Sequence, residues 1–191
     1  MAITLVLTRK PDELFSYPSS KGTLHGRFGT LLVLEGDKLA GVQISPDGPG
    51  SGAISVPTGV LDITPQGATV QELGRYTTIE RMDGMVQLPP LFSPQSNNRH
   101  TPYGITYETG NTAVAELKGT NGECFRVHGG ITSQQQGILI HAAPHVGWLI
   151  GCIGPRRWND RATETESCWS AMKELFQLVG QQPADLFVVD W

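Results

Sequence analysis

Over residues 2–8, Ile3, Leu5 and Leu7 alternate with Thr4, Val6 and Thr8, the period-two pattern of a half-buried strand. A hairpin is predicted over residues 28–44: Thr30–Leu34 and Leu39–Ile44 flank Glu35-Gly36-Asp37-Lys38, whose Gly-Asp pair suits a tight turn. Between residues 45 and 65 the pattern is broken by Pro46, Gly48, Pro49, Gly50, Gly52, Pro57 and Gly59, which predicts surface loop with short strands near 53–56 and 60–63. Residues 69–81 read as a strand pair with a turn at 82–85. Residues 88–100, rich in Pro, Asn and Ser, read as a connector, a lid or a partner-binding arm.

A second hairpin is expected over 112–128, with arms 112–117 and 123–128 around Gly119-Thr120-Asn121-Gly122. A short apolar strand, Gly137–Ile140, ends on His141. Thr163 and Glu166 form a capping box, behind which Trp169, Met172, Leu175, Phe176 and Val179 recur at helical spacing until Gly180 stops the helix. Pro183 breaks the chain, and Leu186–Val189 form a buried last strand. The fold class is mainly β with one C-terminal amphipathic helix. Residues 1–191 read as one domain, with a variable loop-rich insertion around 45–102.

Composition narrows the partners. An apolar share of 39% with 17% charged residues suits a folded chain, and a net charge of −4 with no basic run argues against nucleic acid. The first nine residues lack the basic start and cleavage site of a secretory signal, and their apolar run is too short for a membrane span. We therefore expect a chain made in the cytoplasm with no integral membrane segment. Cys124, Cys152 and Cys168 are an odd number with no CxxC spacing, which excludes a fully paired disulfide framework and a zinc ribbon. They read as three reduced thiols, or as a Cys124–Cys168 pair with Cys152 free.

The candidate chemistry lies in residues 137–155, GILIHAAPHVGWLIGCIGP. A thiol attacks as the thiolate, and a nearby imidazole generates that form. Cys152 is the candidate nucleophile and His141 the candidate base. Gly151 lets backbone N–H groups approach a developing oxyanion. His128, in Arg126-Val127-His128-Gly129-Gly130, is the alternative base or a substrate contact. His145 lines the pocket or is an exposed turn histidine, and Trp148 is packing or pocket wall. Arg156, with Arg157, binds a carboxylate or is solvated. A core role for the cysteine and an edge role for the histidine are the plain alternatives.

The segment resembles the active-site strand and turn of the L,D-transpeptidases (the YkuD-like fold). It is most similar to a smaller branch found in phages, prophages and effector loci, on His141-Ala142-Ala143 and Gly151-Cys152-Ile153. Leu5–Arg9 resembles that branch's opening strand. Leu149-Ile150 stands where the main family has Ser/Thr-His, and Arg156-Arg157 fall later than that family's arginine. The resemblance implies an L,D-transpeptidase-like β-sandwich or barrel that needs no cofactor or metal. It implies cysteine chemistry on peptidoglycan stem peptides, as an L,D-carboxypeptidase or in exchange or cross-linking through a thioester. It further implies delivery to the periplasm of a target cell as an antibacterial effector of a type VI-like secretion system, or a phage product. A secretion apparatus and an immunity protein would then be partners. The rivals are a non-catalytic phage or secretion-apparatus component, and a zinc hydrolase using His128, His141 and His145.

Overall fold

The computed structural model describes residues 2–36, 43–44, 53–56, 59–62, 71–83, 87–90, 102–114, 121–129, 137–161 and 165–190. Their strands are β1 (Ala2–Ser19), β2 (Gly22–Gly36), β3 (Gln43–Ile44), β4 (Ala53–Val56), β5 (Gly59–Asp62) and β6 (Gln71–Arg81). After these come β7 (Tyr103–Glu108), β8 (Cys124–Gly129), β9 (Leu139–Ile140), β10 (Gly154–Arg157) and β11 (Ala184–Asp190), with helix α1 (Thr165–Val179) before the last strand. The class is mainly β, as the sequence predicts.

Eight strands form one sheet in the order β10-β6-β2-β1-β11-β7-β8-β9, and β3-β5-β4 form a small second sheet. A parallel bridge from Ile140 to Ile153, one residue before β10, brings the two ends of the large sheet together into a nearly closed barrel. Among the described residues no helix is long and apolar enough to cross a membrane.

The first half of β1 lies at the centre of this sheet. It pairs antiparallel with β2 and parallel with β11. Lateral partners share a face, so Tyr76, Leu31, Leu7 and Val188 form one buried row and Leu5, Leu186 and Tyr103 another. Thr4 and Thr8 on the opposite face are buried as well. The half-buried strand expected there is covered on both faces.

Two expected hairpins are corrected. Thr30–Leu34 has β1 on one edge and β6 on the other, so no edge remains for Gln43–Ile44, which pairs with β5 instead. The real turn is Ser19–Gly22, where Gly22 has φ +116° and the Ser19 hydroxyl donates to its carbonyl. Likewise β8 has β7 and β9 on its two edges, and residues 112–114, the described part of the expected first arm, form a turn. The Asn-Gly signal is nonetheless a turn: Asn121 and Gly122 have φ 50° and 69° and their carbonyls accept from Gly110 and Asn111. Residues 69–81, expected as a strand pair within the loop-rich insertion around 45–102, are over their described part, Gln71–Arg81, the single strand β6 of the main sheet. The first residue of the expected capping box, Thr163, lies outside the described residues.

Helix α1 buries Cys168, Ala171, Met172, Leu175 and Val179, and its Phe176 ring packs 5.1 Å from Phe125 and 5.7 Å from Tyr107. Gly180 ends it in the left-handed conformation, its N–H bonded to the Phe176 carbonyl.

At one end of the central strands sits a buried charge network. Arg9, 1% exposed, bonds Glu80 at 3.2 Å, Asp190 and the Leu88 carbonyl. Arg27 reaches Glu80 at 3.5 Å and Gln87 at 2.8 Å. The Tyr103 hydroxyl donates to the Pro89 carbonyl. These bonds pin residues 87–90, the start of the expected lid or connector, to the barrel.

Candidate active site

Gly137 and Gly151, with φ +63° and +76°, bracket the candidate segment at positions where a side chain would be strained. Between them β9 runs beside β8, and the chain returns so that Ile153 lies parallel to Ile140. The Ile153 N–H donates to Leu139 and the His141 N–H to Ile153. By this register Cys152 lies beside Leu139 and His141 beside Gly154. The thiol and the imidazole therefore fall on one face, two residue steps apart.

No hydrogen bond joins them. The Cys152 Sγ points back along β9, 3.9 Å from the Gly137 carbonyl oxygen and 3.7 Å from that of Ile150. His141 lies in the other direction. Its Nδ1 sits 2.8 Å from the Ala142 carbonyl oxygen. A carbonyl only accepts, so Nδ1 carries the proton and Nε2 keeps its lone pair, with no partner among the described residues. Burial holds the imidazole below its ordinary pKa, and the bond to Ala142 opposes this only in part. Burial pushes the Cys152 thiol up, against the backbone of Leu139 and Ile150 and the charge of Arg126. At rest the pair is a neutral thiol and a neutral imidazole.

The buried imidazole has a measurable consequence. An unfolded histidine binds protons below about pH 6.5, and the native one only at lower pH. The unfolded state therefore takes up more protons between these values. The stabilising contribution is complete above about pH 6.5 and is lost as pH falls towards the native pKa. Thermal scans should show stability falling from pH 7 to pH 5, with a flatter profile for His141→Gln. An equally steep profile in that variant would place the effect elsewhere.

Three further residues on β8 share this face, among them His128, the alternative base. Cys124, Arg126 and His128 alternate along β8 and face Glu108, Thr106 and Gly104 on β7. Arg126 grips Glu108 through both carboxylate oxygens, at 3.0 and 2.9 Å. Burial raises the Glu108 carboxyl, but Arg126 and Asn111 outweigh it and leave the group below its ordinary value. The Cys124 Sγ lies 3.7 Å from Glu108, and burial with that negative charge pushes its pKa to about 12. The sequence signals for this cluster are the His-Gly element at His128 and the i, i+2, i+4 spacing of Cys124, Arg126 and His128. Its partner Glu108 is visible only once β7 and β8 are paired.

The histidines do not converge. His128 Nε2 lies 2.7 Å from the Thr106 hydroxyl, its ring over Gly104. His145 starts a 3-10 turn, Val146–Trp148, by accepting the Gly147 N–H at Nδ1, and its ring stacks on Tyr17 at 4.5 Å. Trp148 is tilted 6.3 Å from it. Among the described residues no group of three His, Cys, Asp or Glu side chains could hold a metal ion. Arg156 is buried and donates to the Pro144 and Ala143 carbonyls at 2.6 and 3.4 Å, tying β10 to the segment after His141. Arg157 bonds Ser170 of α1. His145 and Arg156 share a cavity of about 460 Å³ that His141, Gly151 and Cys152 do not line. All three cysteines are free, and burial raises Cys168 to about 11.

The site's neighbours in protein space are silent. No family model, curated protein or solved structure matches the chain.

Proposed function

We propose that the chain is a cysteine-dependent acyl-transfer enzyme of the L,D-transpeptidase kind, acting on peptidoglycan stem peptides. One observation carries the reading. His141, on the same face as Cys152, is kept neutral by burial and held in the tautomer whose Nε2 accepts a proton. A general base needs that state.

In this mechanism substrate binding turns the Cys152 thiol about χ1, away from Gly137 and towards His141. Catalytic hydrogen bonds are often loose before substrate arrives. The thiol proton passes to Nε2, and the thiolate attacks the carbonyl that follows an L-centre. N–H groups around Gly151 and Cys152 hold the oxyanion. The tetrahedral adduct collapses, the C–N bond breaks, and the imidazolium protonates the departing D-residue amine. The thioester left on Cys152 gives up its acyl group to water, making an L,D-carboxypeptidase, or to an amine, making an exchanged or cross-linked product.

We further propose that the chain acts after delivery to the periplasm of a target cell, as an antibacterial effector or a phage product. Mass spectrometry of muropeptides incubated with the wild type and with Cys152→Ala tests the reading. The wild type should shorten or exchange the terminal D-residue and the variant should not. Unchanged muropeptides with both would exclude it.

A second reading, a non-catalytic component on this fold, is favoured by the buried thiol and imidazole having no bond between them. Such a component would keep its function in Cys152→Ala.

A further inference from the structure

The cavity beside His145 is built from residues with no motif. From Asp12 to Ser20 exposure alternates residue by residue, so Glu13, Phe15 and Tyr17 turn to one side of β1 and Leu14 to the other. Phe15 stacks on Phe28 at 4.3 Å, and Tyr17 lies nearly parallel to the His145 ring at 4.5 Å. Gly26 permits the first stack, since a Cβ there would meet Phe15 at 2.3 Å and Val146 at 2.8 Å. The walls are therefore flat and apolar.

The polar lining is cationic. Its charged members are Arg156, fully buried, at the floor and Arg161 at the rim; Ser16, Tyr17 and His145 add neutral polar groups, and no carboxylate lines the space among the described residues. The Arg161 guanidinium lies 4.7 Å above the Phe28 ring and 3.2 Å from the Glu13 carboxylate. The protein's own acid thus occupies the rim cation. Exposed pairs of this kind are weak, so an incoming anion can displace Glu13 at small cost. The volume, about 460 Å³, is that of a small-molecule site.

We infer that this cavity binds a small organic carboxylate with a planar apolar body: the body slides between the aromatic walls and the carboxylate displaces Glu13 from Arg161. The walls exclude a bare inorganic anion as the preferred occupant, because it would leave their apolar surface wet. This site goes beyond the acyl-transfer reading, since Cys152 does not line it. Titrating the Cys152→Ala chain as well as the wild type keeps the two separable: binding should be the same in both.

The test is calorimetric or ligand-detected NMR titration with phenylacetate and its uncharged isostere phenylacetamide. Phenylacetate should bind with a Kd of about 1 mM or below, and the amide about 10-fold or more weakly than the acid. Arg161→Gln should weaken phenylacetate about 10-fold, and Glu13→Gln should tighten it about 3-fold by removing the competing carboxylate. Both residues are partly exposed, so neither variant should threaten the fold. The inference is overturned if acid and amide bind alike, if Arg161→Gln changes nothing, or if Glu13→Gln fails to tighten binding. It also fails if phenylacetate shows no binding at about 10 mM, well above the affinity expected for so small a ligand.

Discussion

Replacing Arg9 by alanine is expected to lower the unfolding free energy by about 3–5 kcal/mol, the range for removing one partner of a buried ion pair. The guanidinium is fully buried and serves three acceptors on three elements: Glu80 of β6, Asp190 of β11 and the Leu88 carbonyl. Removing it leaves Glu80 buried with Arg27, at 3.5 Å, as its one remaining cation among the described residues, and the Leu88 carbonyl without that donor. A domain of this size is stable by about 5–15 kcal/mol, so the loss is a large fraction of the total. The midpoint of thermal unfolding should fall by about 10 °C or more. Replacing Arg9 and Glu80 together with methionine should recover only part of the loss, because it removes the uncompensated Glu80 charge but leaves Arg27 without its carboxylate. Urea titration of the three chains checks this. A single variant within about 1 kcal/mol of wild type would mean that water enters the network.

The second large effect is on turnover. Under the acyl-transfer reading, Cys152→Ala and His141→Ala should each reduce muropeptide turnover by about 10³-fold or more, and the double variant should be no worse than either. The thiol and imidazole act as one unit there, so losing either loses the unit. Because burial holds the thiol high, iodoacetamide should inactivate the enzyme faster as pH rises beyond the ordinary thiol range of about 8.5. Fused to an export signal and produced in a bacterium, the wild type should cause swelling or lysis and Cys152→Ala should not. Harm from the exported variant would favour a binding role. Loss of turnover in His128→Ala, with His141→Ala active, would move the base to β8.

The sequence was most informative where a pattern is local. The last helix, its glycine stop, the last strand and the strand before His141 all depend on side chains within a few residues of one another; all are present, the last strand longer than read (Ala184–Asp190) and the strand before His141 shorter (Leu139–Ile140). Pairings were misread where partners are distant. Thr30–Leu34 is equally apolar whether it pairs with 39–44 or with β1 and β6, and only burial on both edges decides. The second half of β1 carries a weaker local signal: Lys10, Pro11, Asp12 and Glu13 interrupt the apolar pattern, although Glu13, Phe15 and Tyr17 keep the strand period. At the candidate site the motif located Cys152, His141 and Gly151, but it carries no torsion angles. That the thiol turns to Gly137 while the imidazole is bonded to Ala142 follows from packing, and so does the Glu108–Arg126 pair beside them.

Of the described strands, the one at the middle of the large sheet comes first in the chain, and one of its two neighbours comes last. Arg9 and Asp190 meet across 181 residues. On the ribosome β1 and β2 can zip together early, yet the β11 side of β1 stays open until β11 has emerged. Such long-range closure makes folding slow and leaves a sticky edge in the nascent chain. The centre of the large sheet therefore closes only after everything between β2 and β11 has been made.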